Sequence, residues 1–140
     1  MQFVPYLSFN GDCETAFRRY AEVLGGELVA VMRYGEAPPE AGIPAESANQ
    51  IMHAQLAFGD QSLMGADCAF GHAPQAGSMR INLMIAEPAE AERVFAALME
   101  GGAVEMPMAE TFWATRFGMG TDRFGTPWMV NCMKECGTDG

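Results

Sequence analysis

Positive charge is scarce in this 140-residue chain: eight Lys plus Arg stand against eighteen Asp plus Glu, for a formal net charge of -10. Phosphate-rich partners are gripped by clustered cations, so nucleic acid and anionic membrane surfaces are excluded. Histidine is scarcer still, with His53 and His72 the whole supply. No apolar run approaches the roughly 20 residues that span a bilayer. The N-terminus opens straight into Gln2-Phe3-Val4-Pro5-Tyr6-Leu7 without the basic segment of a secretory signal, so a cytoplasmic location is expected. Of the four cysteines (Cys13, Cys68, Cys132 and Cys136), Cys132 and Cys136 are spaced C-x3-C at a chain end, with no second close pair and neither His near them. Structural zinc asks for two tight ligand pairs, so reduced and partly buried thiols are expected instead. Phosphate-cradling glycine loops, dinucleotide fingerprints and a Ser-His-Asp order are all missing. Gly71 and Gly77 flank a loop without the strand-to-helix context that a phosphate site needs.

What is present is periodic. The length suits one domain, or two small halves sharing a core. Gln2 to Phe9 reads as a strand, Asn10-Gly11-Asp12 as a turn with Asp12 at the helix N-cap, and Cys13 to Leu24 as a helix burying Ala16, Phe17, Tyr20 and Leu24. Gly25-Gly26 stops it, and Glu27 to Arg33 reads as a strand. Tyr34 to Asn49 has loop chemistry, followed by strands at Ile51–Phe58 and Gln61–Ala66 around a Gly59-Asp60 hairpin turn. After a second loop the order recurs. Met79–Ala86 is a strand, Pro88 opens a helix over Ala89–Glu100, Gly101-Gly102 ends it, and strands follow at 103–106, 111–119 and 126–133. The closing stretch Asp122-Arg123-Phe124-Gly125-Thr126-Pro127-Trp128 makes an Asp-Gly turn into a last strand. That strand puts Trp128, Val130 and Cys132 on one face and Pro127, Met129 and Asn131 on the other. The chain therefore predicts an α+β fold of paired β-α-β-β-β modules, about 1–67 and 78–134, joined by loop 68–77. One such module leaves a sheet face uncovered, so two are expected to curl around a shared cup.

Residues Tyr6-Leu7-Ser8-Phe9-Asn10-Gly11 leading to Tyr20 and Leu24-Gly25-Gly26, then Glu110-Thr111-Phe112-Trp113, Arg116-Phe117-Gly118 and the closing turn, carry a resemblance over nearly the whole chain. Together they resemble the vicinal-oxygen-chelate superfamily, which includes glyoxalase I, the bleomycin-resistance proteins and extradiol dioxygenases. They are most similar to its PhnB-like branch, which often carries a 3-demethylubiquinone 3-methyltransferase-like label. The resemblance implies a single glyoxalase-like domain over 1–140, usually a homodimer. In the superfamily's enzymes it also implies a divalent metal held by His, Gln and Glu from the first and last strands of each module. Carried over residue by residue, those ligand positions fall at or near Pro5, on Arg80 or Asn82, on Met129, and in a Ser62–Gly65 window with no carboxylate, Asp67 being the nearest. Pro, Met and Arg do not replace carboxylate or imidazole at a hard ion. The expectation is no metal and no other cofactor. The methyltransferase label has no support either, because no Gly-rich strand-to-helix turn offers a site to a nucleotide-like methyl donor.

Six residues are candidates for the cup lining: His53, Asn82, Trp113, Arg116, Met129 and Asn131. His53 shares a strand face with Gln55 and reads either as a polar wall of the cup or as a strand histidine bonded to a neighbour. Arg116 beside Phe112 and Trp113 suits a planar or anionic small molecule; its alternative is a surface pair with Glu110 or Asp122. His72 reads as a solvent residue in its loop, and Trp128 as packing beneath the second helix. Twelve methionines make an apolar, adaptable lining, or simply stand in for Leu in the core. The reading is a metal-free small-molecule binding protein. The alternative is a lyase or dioxygenase-type enzyme with a rearranged metal site at His53 and Asp67. A third is a cup filled by its own side chains.

Overall fold

The structure, a computed structural model, describes residues 1–71, 73 and 77–134. His72 and Cys136 lie outside the described residues. The chain forms two compact units, Met1–Gln75 and Ala76–Gly140. Each holds one helix and one open four-stranded mixed sheet, which is the α+β architecture that the sequence predicts.

In the first unit, β1 (Tyr6–Phe9), α1 (Cys13–Leu24), β2 (Glu27–Arg33), β3 (Ile51–Phe58) and β4 (Gln61–Asp67) build a sheet of order β1-β4-β3-β2. In the second, β5 (Ile81–Met84), α2 (Pro88–Met99), β6 (Ala103–Ala109), β7 (Ala114–Thr121) and β8 (Pro127–Met133) repeat that order as β5-β8-β7-β6. In both sheets the first strand runs parallel to the last, and the other pairs are antiparallel. The 34–49 loop contains three single 3-10 turns, at Tyr34–Glu36, Pro39–Ala41 and Ala45–Ser47.

Helix α1 forms where its apolar spacing says it must. Cys13, Ala16, Phe17, Tyr20 and Val23 make the buried stripe, and Gly25 closes the helix in the left-handed conformation at φ 78. Leu24, expected in that stripe, is half-buried, and Val23 takes the inward position. Asp12 occupies the N-cap position but contributes no side-chain capping bond. The Cys13 N–H instead donates to Asp67 Oδ1 at 3.0 Å, from the end of β4.

Strand ends differ from expectation for local reasons. β1 begins at Tyr6 because its partner ladder ends there: Met64 N–H donates to the Pro5 carbonyl at 3.0 Å, and Pro5 has no N–H to return. β6 extends past Pro107 to Ala109, which an outer strand tolerates. β7 starts at Ala114 rather than Thr111. Thr111 Oγ1 accepts the N–H groups of Trp113 at 3.3 Å and Ala114 at 3.0 Å, folding Thr111–Ala114 into a turn.

Each sheet presses one face onto its helix. At Gly65 in β4 an added Cβ would sit 2.8 Å from Phe17 Cε1 and 3.0 Å from the Leu7 carbonyl oxygen. Phe17 is fully buried and cannot swing away. Gly65→Ala is therefore expected to cost about 1–3 kcal/mol of stability, the range for overpacked cores. A urea midpoint unchanged from wild type would show that the α1–β4 contact yields.

Candidate functional site

In the second unit the face of β8 turned toward α2 carries Trp128, Val130 and Cys132, all buried. At Gly118 and Gly120 of β7, added Cβ atoms would run into Phe95 and Met99 of α2, which marks that same side. The opposite, open face has no described helix of this unit against it, although Phe117 and Asn131 on it are buried. Alternation along the strands gives it Asn82 and Met84 from β5, Phe117 and Met119 from β7, and Met129 and Asn131 from β8.

On this open face a directional hydrogen-bond chain runs through three of the six candidate residues. Trp113 Nε1–H donates to Asn131 Oδ1 at 3.2 Å, and Asn131 Nδ2 donates to Asn82 Oδ1 at 2.9 Å. Asn82 Nδ2 in turn donates to the Met84 thioether at 3.2 Å. An indole nitrogen only donates, so the first bond fixes which way the Asn131 amide points, and Asn131 then fixes Asn82. Asn131 is 6% exposed, with both ends of its amide partnered; Asn82 and Met84 are exposed. The chain thus starts on an aromatic wall and ends at solvent on a weak acceptor. Trp113 is held from behind by Phe117, ring centroids 5.3 Å apart at 71°.

Met129 lies on this open face, directly opposite Met119 across β7–β8 and paired with Asn82 across β5–β8. Arg116 does not join. Regular alternation with Gly118 and Gly120 and pairing with Cys132 put it on the α2 side, where Nε sits 3.0 Å from Glu92 Oε1. Its anion is therefore neither Glu110 nor Asp122. Glu110 pairs with Lys134 at 3.1 Å.

His53 belongs to the first unit, in mid-β3, with its Nδ1 3.3 Å from Tyr6 Oη and the two rings 6.0 Å apart. Gln55, on the same face, donates to Ser62 Oγ at 3.2 Å. Tyr6 was not foreseen as a neighbour of His53; parallel pairing of β1 with β4 brings it alongside.

Asp67 has a different task from the one the alternative gives it. It is the last residue of β4, on the helix side, and 2% exposed. Oδ1 accepts the N–H groups of Gly11 at 2.9 Å and Cys13 at 3.0 Å, and Oδ2 accepts that of Ile51 at 2.8 Å. Those bonds take up three of the roughly four acceptor directions of a carboxylate, and His53 lies on the opposite face of the sheet. The adjacent Cys13 thiol is pushed up to about 12 by burial first and by the Asp67 charge second, so it stays a neutral thiol.

The divalent ion held by the superfamily's enzymes does not fit these donors. The open face of β5–β8 offers amides, thioethers and a single carboxylate, Glu105, already paired with Arg80 at 2.7 Å and bonded to Thr121, and hard ions ask for several carboxylates or imidazoles. Among the described residues, no three His, Cys, Asp or Glu side chains converge in a metal-holding group. A nucleotide-like methyl donor fits no better. Amides leading into α1 face the chain's own carboxylate, and α2 opens on Glu87-Pro88. Away from both faces, the 34–49 loop encloses a hollow of ≈ 160 Å³ lined by Tyr34, Pro38, Ile43 and Ala48 among others. No described helix is long and apolar enough to cross a membrane.

Comparison with known proteins agrees with this architecture. A family model described as 3-demethylubiquinone-9 3-methyltransferase matches residues 1–131. Protein YjdN of Escherichia coli K12 is 36% identical, over 96% of this chain and 97% of its own. The crystal structure of PA1353 from Pseudomonas aeruginosa is 46% identical with a TM-score of 0.87, covering 96% of this chain and 99% of that one. A glyoxylase/bleomycin resistance protein/dioxygenase domain from Frankia sp. EAN1pec shares the fold alone, at 13% identity and a TM-score of 0.68, over 96% and 92% of the two chains.

Proposed function

Starting from a chain that belongs to the 3-demethylubiquinone-9 3-methyltransferase family, in the PhnB-like branch of the glyoxalase/bleomycin-resistance/dioxygenase superfamily, we propose that it is a binding protein, without the superfamily's divalent metal, for a planar, apolar small molecule bearing an oxygen acceptor. One observation carries the reading: the Trp113–Asn131–Asn82 chain ends on the Met84 sulfur. Thioether sulfur is a poor acceptor. A ligand carbonyl arriving beside Asn82 exchanges that bond for a stronger one, while its ring system rests on methionine and on the Trp113 edge. The amides are already oriented, so little ordering is left for binding to supply.

His53, with Tyr6, is the polar group of the first unit in this reading, and Arg116 supports the sheet through Glu92. Pairing with a second copy and residence in the cytoplasm belong to the same reading. Val29 and Met32 of β2 are open to solvent, which is apolar surface that a partner would cover.

The test is a fluorescence titration with a panel of planar aromatic ketones. Trp113 is 36% exposed and Trp128 fully buried, so quenching reports on Trp113 and is lost in Trp113→Phe. Asn82→Ala, at an exposed position, is expected to weaken binding several-fold to about tenfold, equivalent to one hydrogen bond of about 1 kcal/mol. A panel without a single binder, or one bound equally well by Asn82→Ala, contradicts the reading.

A further inference from the structure

The strand registers place three methionines in one row. Met106 of β6 is the direct partner of Met119 of β7, which is the direct partner of Met129 of β8. Directly opposed residues project to the same side of a sheet, with Cβ atoms about 4.5–5.5 Å apart. The side is fixed. Gly118 and Gly120, flanking Met119, face Phe95 and Met99 of α2, so Met119 and its partners face away from the helix. Met108, which simple alternation would put beside Met106, is removed by the register shift before Ala109 and lies against Gly118. Three thioethers therefore stand side by side across three adjacent strands, with Met106 44% exposed and the other two half-buried.

We infer that Met106, Met119 and Met129 form a binding site for a soft monovalent cation, Cu(I). Thioether sulfur is a soft, neutral donor that selects Cu(I) over the hard divalent ions excluded above. Each methionine has three rotatable bonds, so neighbouring sulfurs reach a common point without backbone movement. The row supplies three donors. Its next member, Asn82, already gives its amide oxygen to Asn131, and Met84 in the following row accepts from Asn82. The ion arrives from solvent at the Met106 end, and the formal charge of -10 draws cations to the protein. The site shares Met129 with the organic ligand proposed for the same face, so the two occupants compete at that residue.

Proton competition separates this site from the chain's imidazoles, whereas thiols bind soft ions even in mild acid and must be removed. Thiolate and imidazole ligands must lose a proton before they bind metal, whereas a thioether has none to lose. The experiment uses full-length protein carrying Cys68→Ser and Cys136→Ser, which leaves the buried Cys13 and Cys132 as its thiols, with 13C-labelled methionine methyls in chloride-free buffer at about pH 5, where free imidazole is protonated. Ag(I), a redox-inert stand-in for Cu(I), is added as the nitrate, and Cu(I) is then tested by competition with a chromophoric chelator. Expected is a joint shift of the Met106, Met119 and Met129 methyl signals that saturates at one equivalent. Met119→Leu, a swap that keeps side-chain volume, is expected to weaken binding about ten- to a hundredfold. Met106→Leu, at the exposed end, gives the same answer if Met119→Leu folds poorly. Ag(I) uptake that leaves the three signals unmoved, or wild-type affinity in both variants, overturns the site.

Discussion

Asp67→Ala is expected to remove about 3–5 kcal/mol of stability, since each buried donor left unsatisfied costs about 1–3 kcal/mol. The side chain accepts three backbone N–H groups, from Gly11, Cys13 and Ile51. Hydrogen bonds to a charged group contribute about 1.5–3 kcal/mol each, offset by the cost of burying the carboxylate. Alanine leaves all three donors facing an apolar gap. The loss is large beside the roughly 5–15 kcal/mol by which domains are stable, so the variant should melt far below wild type. Asp67→Asn is expected to lie between the two. One amide oxygen still accepts at the α1 turn, while the amide nitrogen faces a donor. Urea unfolding followed by circular dichroism gives both values. A loss below about 1 kcal/mol for alanine would mean that water reaches these amides and takes over the bonds.

Asp122→Ala is the counterpart in the second unit, with an expected loss of about 2–4 kcal/mol. Asp122 is buried at the turn before β8. Its Oδ1 accepts Phe124 N–H at 2.9 Å and Thr126 N–H at 3.0 Å, and its Oδ2 accepts Trp128 Nε1–H at 2.8 Å. Trp128 is fully buried, so its indole N–H finds no replacement acceptor in water. Trp128→Phe in both backgrounds completes a double-mutant cycle, with coupling of about 1 kcal/mol or more expected between neighbours in one network. Independent, additive losses would show that the turn amides alone account for the effect.

Several elements were legible in the sequence because each carries its own punctuation. Helix α1 at Cys13–Leu24, β2 at Glu27–Arg33 and β3 at Ile51–Phe58 lie where the glycine pair, the alternation and the Gly-Asp turn put them. The split of β8 into a buried Trp128–Val130–Cys132 face and an open Met129–Asn131 face follows from alternation alone. Residues whose role depends on a distant partner were not legible. Asn131 and Asn82 are 49 positions apart, and only the parallel β5–β8 register turns two polar residues into a relay. Arg116 follows plain alternation with Gly118 and Gly120 onto the α2 side, but its ion partner, Glu92, belongs to the preceding helix and only the packed structure brings it near. Asp67 did leave one signal. It continues the buried parity of Leu63 and Gly65 in β4, and a carboxylate in such a position must find internal donors.

Long-range capping by Asp67 also sets an order of events for the first unit. The residue that secures the start of α1 arrives 54 positions later, at the end of β4, and also holds the first amide of β3. Local signals suffice to begin that helix, but its entry turn is not locked until the whole unit has closed. Conversely, breathing at the end of β4 uncovers the amides of Gly11, Cys13 and Ile51 in one opening, so three points scattered along the chain exchange their protons with solvent as a single cooperative group.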